Sequence, residues 1–259
     1  MPAWLDLGSL DLVSILAIVA AGVVAGFVNT LAGGGSLLTL PALLLAGLPA
    51  DVANGTNRVG VAAQSVAGAL AFRKAGKLDF DDWLGLFLPT ILGSLTGSLV
   101  AAYVLPRSWV EPVLLGTMLT MAIVMLLRPK AFEATEGQTL KVRESPGGAL
   151  GLFGAGFYGG FVQAGVGFVL LTVVGGVLRY DLVRANAFKI VAVLVFTLVA
   201  LPVFILADQV SWVPGILLGV ATAIGSQIGV RFALNVSPKV LRAIVVAGVV
   251  VACVAAFFK

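Results

Sequence analysis

The chain has 259 residues, of which 60% are hydrophobic and only 11% charged, with a formal net charge of +4. A soluble domain carries about 25% charged residues; too few polar groups are present here to cover a surface in water, so the chain reads as an integral membrane protein in a lipid bilayer. A single cysteine, Cys253, and no histidine exclude an internal disulfide and leave no ligand set for zinc, haem or an iron–sulfur cluster, so no cofactor or metal is expected.

The modest positive charge fits the Lys and Arg of a membrane protein's cytoplasmic loops, not nucleic-acid binding. The N-terminal stretch carries Asp6 and Asp11 but no Lys or Arg, so a cleaved secretory signal with its basic n-region is not expected.

A spanning helix needs about 20 apolar residues. In chain order, the candidate spans are 10–31, 52–73, 83–104, 109–128, 148–165, 183–206, 211–233 and 239–258. Two further apolar segments are too short to cross. Ser36–Leu48 and Phe168–Leu178 would reach about 20 and 16 Å as helices, against a hydrocarbon core of about 30 Å. Short, glycine-interrupted segments in matching places of two halves point to the binding site of a transporter.

The halves match. Gly26-Phe27-Val28-Asn29 returns as Gly160-Phe161-Val162-Gln163, and Gly33 as Gly167, at a spacing of 134 residues. Past the short segment the spacing becomes 132: Ala53-Asn54 returns as Ala185-Asn186, Val59 as Val191, and Gly93-Ser94-x-x-Gly97 as Gly225-Ser226-x-x-Gly229. The polar stretch 129–147 separates a first transmembrane repeat, 1–128, from a second, 148–259, and reads as a cytoplasmic linker. With the N-terminus outside, Arg73, Lys74, Lys77, Arg128, Lys130, Lys141, Arg143, Arg179, Arg184, Arg231, Lys239 and Arg242 all fall inside, and only Arg107 and Lys259 fall outside. Each half then makes an odd number of passes. The expected fold class is all-α integral membrane, with two inverted-topology repeats, each holding a short broken or re-entrant helix.

All twelve carboxylates sit in loops or at predicted helix ends, which argues against a buried acid as proton carrier and against sodium held by carboxylates. The charges that fall inside spans are positive: Arg58 and Lys189, each about two turns into its helix. A charge in lipid must face a cavity or a partner, and with no acid near in sequence a small anionic solute is the natural one; snorkelling to the headgroups is the alternative. Gly33-Gly34-Gly35-Ser36 opens the first short helix, where free backbone N–H groups bind anions and glycine lets a ligand approach; a tight packing kink is the other reading. Asn29, Asn54, Asn57, Gln64 and Gln163 are amides in apolar surroundings, able to donate to an oxyanion or to join helices. The glycine pairs 93/97 and 225/229 read as helix packing.

These stretches, GFVNTLAGGGSLLTLPALLLAGLPADVANGTNRV with Gln64 and a degenerate second copy beginning at Gly159, resemble the TauE/SafE sulfite exporter family, also called the 4-toluene sulfonate uptake permease family. The resemblance covers almost the whole chain. It implies a multi-pass transporter of the plasma membrane for sulfite or other small organosulfur anions, usually exported. By motif it carries roles to Asn29, Gly33, Gly34, Gly35, Ser36, Asn54, Asn57 and Arg58. The second copy has Gly167-Phe168-Val169-Leu170 where the first has its triple glycine and serine, so an asymmetric pocket is expected, with the main charge from Lys189. An anion channel and a membrane assembly factor are the alternatives; an enzyme is not expected, and a homo-oligomer is left open.

Overall fold

The structure, a computed structural model, describes residues 11–31, 33–78, 82–127 and 138–235. Among them are nine α-helices: α1 (Leu12–Leu31), α2 (Ser36–Leu45), α3 (Ala50–Lys74), α4 (Trp83–Leu99), α5 (Arg107–Leu127), α6 (Pro146–Phe161), α7 (Val166–Leu171), α8 (Leu182–Leu206) and α9 (Trp212–Asn235). A π turn extends α4 through Val104 and another extends α7 through Val177. The expected span 239–258 lies outside the described residues, as does the first part of the linker, 129–137; residues 138–145 dock through Leu140 N–H to the Leu178 carbonyl and Val142 N–H to Asp82 Oδ2, each 3.0 Å. Asp11 caps α1. Hydrogen bonds from the Ser14 side chain and backbone hold its carboxyl below the usual carboxylate range.

Large apolar side chains line the outside, and a set of polar side chains is buried among the apolar core clusters. Leu84, Leu88, Leu92, Leu95 and Leu99 form an exposed stripe along α4, and Trp212, Ile216, Val220, Ile224 and Ile228 another along α9. Asn54, Thr56, Asn57, Arg58 and Gln64 of α3, by contrast, are buried. Water would not tolerate those stripes, whereas lipid does. Four helices, over 12–31, 83–104, 183–206 and 212–232, are long and apolar enough to cross a membrane.

The expected span 148–165 is not one helix. α6 has 16 residues and stops at Phe161, and Gln163 (φ +69°) and Gly165 (φ +74°) turn the chain back. A helix of that length reaches about 24 Å, short of the hydrocarbon core. Apolar residues flank Gln163 on both sides, which hid the break.

Two helical hairpins organise the rest. α2 returns along α1, with Gly35 against the Ala25 carbonyl and Leu43 clustered with Ile18. α7 returns along α6, with Val173 against Gly151 and Leu178 against Gly148. The first hairpin starts at the Val52 end of α3. The second starts at the opposite end, where Phe72 of α3 meets Val183 and Ala187 of α8. Their tips touch: a Cβ on Gly33 would lie 2.5 Å from Gly167 Cα, and one on Gly167 would lie 2.3 Å from Gly33 Cα.

Each hairpin leans on a helix from the other half. Gly26 of α1 meets the Thr222 carbonyl of α9, and Gly160 of α6 meets the Ser94 carbonyl of α4; Gly225 meets the Val23 carbonyl, and Gly97 that of Phe157. These contacts correct the sequence register. With α4 and α9 matched at 132, Gly156 meets the Thr90 carbonyl as Gly26 meets that of Thr222, and Gly93 meets the Phe153 carbonyl as Gly225 meets that of Val23, so α1 and α6 correspond at a spacing of 130 and not 134. The difference is about one helical turn. A face built of small residues every four positions resembles itself after one turn, so letters alone do not fix its register.

Gly33→Ala places a Cβ against backbone at a positive φ of +93° and should cost about 3 kcal/mol or more. Gly154→Ala, where a Cβ meets nothing within 4 Å, should stay within about 1 kcal/mol of the parent. Thermal unfolding of the detergent-purified protein measures both.

Candidate functional site: the tip-to-tip crossing of two helical hairpins

Asn54, Asn57 and Arg58 fall at i, i+3 and i+4 on α3, so one inward face of that helix carries all three. Arg58 reaches the end of α6. Its Nη1 donates to the Gly159 carbonyl at 2.9 Å, and its Nη2 donates to those of Gly160 at 2.6 Å and Phe161 at 3.4 Å. The guanidinium lies 4.2 Å from the centroid of the Phe204 ring, an attractive cation–π placement. Asn54 Nδ2 donates to the same Phe161 carbonyl at 2.9 Å.

Lys189 of α8 does the corresponding work on α1. Its Nζ donates to the carbonyls of Asn29 at 2.9 Å and Thr30 at 3.0 Å, and to Asn186 Oδ1 at 2.8 Å. An ammonium has three donors, and all three are used. Both cations are fully buried, Arg58 at 0% and Lys189 at 1% exposure, so neither snorkels to a headgroup. The partner that the sequence lacked is therefore backbone. A helix that stops in a buried place leaves its last carbonyls without intrahelical donors and carries about half a negative charge there. Each cation meets one such end.

The first turns of α2 and α7 lie at the same tips. Ser36 opens α2; its Oγ accepts from Asn57 Nδ2 at 3.1 Å, while Asn57 Oδ1 accepts from Thr39 Oγ1 at 2.6 Å. Gly35 N–H donates to Asn29 Oδ1 at 3.4 Å. The three glycines are all tight: Gly33 lies on Gly167, Gly34 under the Phe168 ring, and Gly35 on the Ala25 carbonyl and Asn29 Cβ. The packing reading of this run is thus satisfied at each position. Gln163 sits in the second break, with Nε2 donating to Thr197 Oγ1 at 2.7 Å and Oε1 without a partner. Gln64 is buried in α3, two turns beyond Asn57.

The crossing thus gathers Asn29, Gly33, Gly34, Gly35, Ser36, Asn57 and Lys189 around the first hairpin's tip, and Asn54, Arg58 and Gln163 around the second's. Thr39 was missed by sequence reading although it stands one turn from Ser36 on the same face. Gln209, buried beside Phe204 with its Oε1 unpartnered, carries no signal in its loop sequence.

The ion pairs among the described residues lie at helix ends: Asp51–Arg107 at 3.5 Å, Arg143–Glu144 at 3.9 Å and Arg184–Asp181 at 3.5 Å. Two unit positive charges therefore stand at the crossing, while the half-charges of two helix C-termini and two helix N-termini offset one another. The field there is positive. Lys189→Met and Arg58→Met strip buried carbonyls of their donors and should each destabilise by about 2–4 kcal/mol. Arg184→Met, at an exposed pair, should change stability by less than about 1 kcal/mol. Thermal or denaturant unfolding of the three variants checks this.

The sequence profile of the family described as sulfite exporter TauE/SafE matches residues 18–256. The chain is similar to a probable membrane transporter protein of Haemophilus influenzae, 27% identical over 248 residues and covering 93% of this chain and 92% of that one. It is also similar to a probable membrane transporter protein of a Sinorhizobium species, 27% identical over 87% of this chain and 85% of that one. A third relative, the probable membrane transporter protein YfcA of Escherichia coli, is 27% identical over 86% of this chain and 81% of its own length. No solved structure matches. The buried polar side chains, the apolar exterior and the profile match over nearly the whole length agree, and the chain belongs to the sulfite exporter TauE/SafE family of multi-pass membrane transporters.

Proposed function

We propose that this membrane transporter is a secondary carrier of a small sulfur-containing oxyanion, sulfite or an organosulfonate, which it exports across the plasma membrane. The observation that carries the reading is the positive crossing: two buried cations and the first turns of α2 and α7, with amides and hydroxyls alongside. Helix N-termini bind oxyanions through free N–H groups, and the amides of Asn57 and Gln163 add neutral hydrogen bonds. Asn29, Gly33, Gly34, Gly35, Ser36, Asn54, Arg58, Gln64 and Lys189 complete the substrate-binding set. Arg58 and Lys189 supply field more than contact, because their donors are already engaged with carbonyls.

The architecture we propose is two inverted-topology repeats, 1–128 and 148–259, joined by a cytoplasmic linker at 129–147, with the N-terminus outside. Its support is the pair of hairpins that start at opposite ends of α3, meet at Gly33 and Gly167, and pack on α9 and α4 through equivalent small residues. In this reading each hairpin is re-entrant. Alternating access then comes from one repeat rocking on the other about the glycine contact, with the anion held at the bilayer midplane.

Counterflow in proteoliposomes tests this. A carrier shows saturable, trans-stimulated movement of sulfite or an organosulfonate. Non-saturating flux indicates an anion channel, and no flux with any anion of the class contradicts the proposal. Asn57→Asp keeps side-chain shape, and both Ser36 and Thr39 hydroxyls can donate to the new carboxylate, so the fold should persist. The added negative charge should lower anion flux by at least about tenfold, equivalent to about 1.4 kcal/mol; wild-type flux in a folded Asn57→Asp protein removes Asn57 from the site.

A further inference from the structure

The transport reading gives no role to Thr39, yet its hydroxyl decides which way the Asn57 amide faces. Thr39 stands one turn after Ser36 on α2, and both bond to Asn57 of α3. All three are buried, Thr39 at 2%, Ser36 at 4% and Asn57 at 0% exposure. A threonine inside a helix commonly back-bonds to the carbonyl four residues earlier. That carbonyl, on Gly35, already accepts from the N–H groups of Leu38 at 2.9 Å and Thr39 at 3.2 Å, which fills both its lone pairs. The Thr39 proton goes instead to Asn57 Oδ1 at 2.6 Å, and Asn57 Nδ2 donates to Ser36 Oγ at 3.1 Å.

The two lengths fix the direction of this chain. N–H···O bonds run about 2.7–3.2 Å and O–H···O bonds about 2.5–3.0 Å. With the amide turned over, a hydroxyl would donate across 3.1 Å and an amide N–H across 2.6 Å, each outside its range. Ser36 Oγ therefore accepts, and its own proton has no partner among the described residues. One N–H of Asn57 is likewise unpaired there. Asn29 is disposed in the same way, its Oδ1 held by the Gly35 N–H at 3.4 Å. The second tip differs: Gln163 turns Nε2 to Thr197 and leaves Oε1 open.

We propose that Thr39 is a positioning residue for the oxyanion. By occupying Asn57 Oδ1 it leaves the α2 tip with donors only, the Ser36 O–H and an Asn57 N–H, beside the first N–H groups of the helix. This rests on the carrier reading and sharpens its substrate class. A tip made of donors matches a fully ionised, acceptor-only group such as a sulfonate or the sulfite dianion. It has no acceptor for the proton of an undissociated acid or a hydroxyl. Without the Thr39 hydroxyl the amide is free to turn over; Ser36 then donates to Asn57 Oδ1 and its proton is lost to the anion. The first tip is accordingly the end of the pocket that holds the anion's oxygens.

Equilibrium binding to detergent-purified protein tests this, with methanesulfonate or sulfite as the probe, whichever the wild type binds. Thr39→Val keeps the branched shape and removes the donor. Its affinity should fall at least about tenfold, the loss expected for a hydrogen bond to a charged group. Thr39→Ser restores the hydroxyl and should bind within about threefold of wild type. In an Asn57→Ala background, Thr39→Val should change affinity by less than about twofold, because the hydroxyl acts through that amide. A mere tie between α2 and α3 predicts a lower melting temperature for Thr39→Val with unchanged affinity, and that result overturns the inference. So does a Thr39→Ser protein that binds as weakly as Thr39→Val, or an undiminished loss in the Asn57→Ala background. A folded wild type that binds neither probe contradicts the carrier reading itself, and the role of Thr39 falls with it.

Discussion

A helix broken inside an apolar medium leaves carbonyls that no water can reach, and the rest of this structure follows from meeting that cost. α1 and α6 both end within the protein, at Leu31 and Phe161. Each end would present several orphan acceptors and a partial negative charge. The chain answers with a full positive charge at each, Lys189 on the Asn29 and Thr30 carbonyls and Arg58 on those of Gly159, Gly160 and Phe161. The donors come from α8 and α3, so each break is secured by a helix of the opposite half. The same bonds that make the breaks affordable tie the two halves together.

The glycines set how close the breaks come. Gly33 and Gly167 occupy one another's Cβ space, so the hairpin tips meet backbone to backbone. Contact at that distance puts the first turns of α2 and α7 beside both cations. The net charge of the crossing is positive because two whole charges outweigh helix-end half-charges that cancel. In the reading proposed here, structural neutralisation and anion attraction are one arrangement. The cations are held in place by the carbonyls they cap, and their field remains for a solute.

Part of this was legible in the sequence. A membrane protein with charges inside its helices is visible from composition and from Arg58 and Lys189 alone. The two short segments were visible from length. What the cations touch was not, because a carbonyl at a helix end has no letter of its own; only the place where the helix stops reveals it. The stop at Phe161 was hidden because apolar residues resume directly after Gln163, and the break depends on backbone angles at Gln163 and Gly165. The register of α1 on α6 was off by a turn because small residues spaced by four look alike after a turn. Thr39 could have been found by extending the Ser36 face one turn. Gln209 could not, since its burial follows from how the α8–α9 loop packs on Gly55 and Thr56 of α3.

The central claim is that an oxyanion sits where the two hairpin tips meet. Diffraction from crystals grown with selenite, a heavier analogue of sulfite, tests it most directly, because selenium scatters anomalously and marks its own position. The account predicts an anomalous peak between the first turns of α2 and α7, within hydrogen-bond reach of the Gly34–Ser36 backbone and of Asn57 or Gln163. Selenium found only at the basic loop surface, or no bound selenium in crystals of a protein that transports the anion, would contradict it.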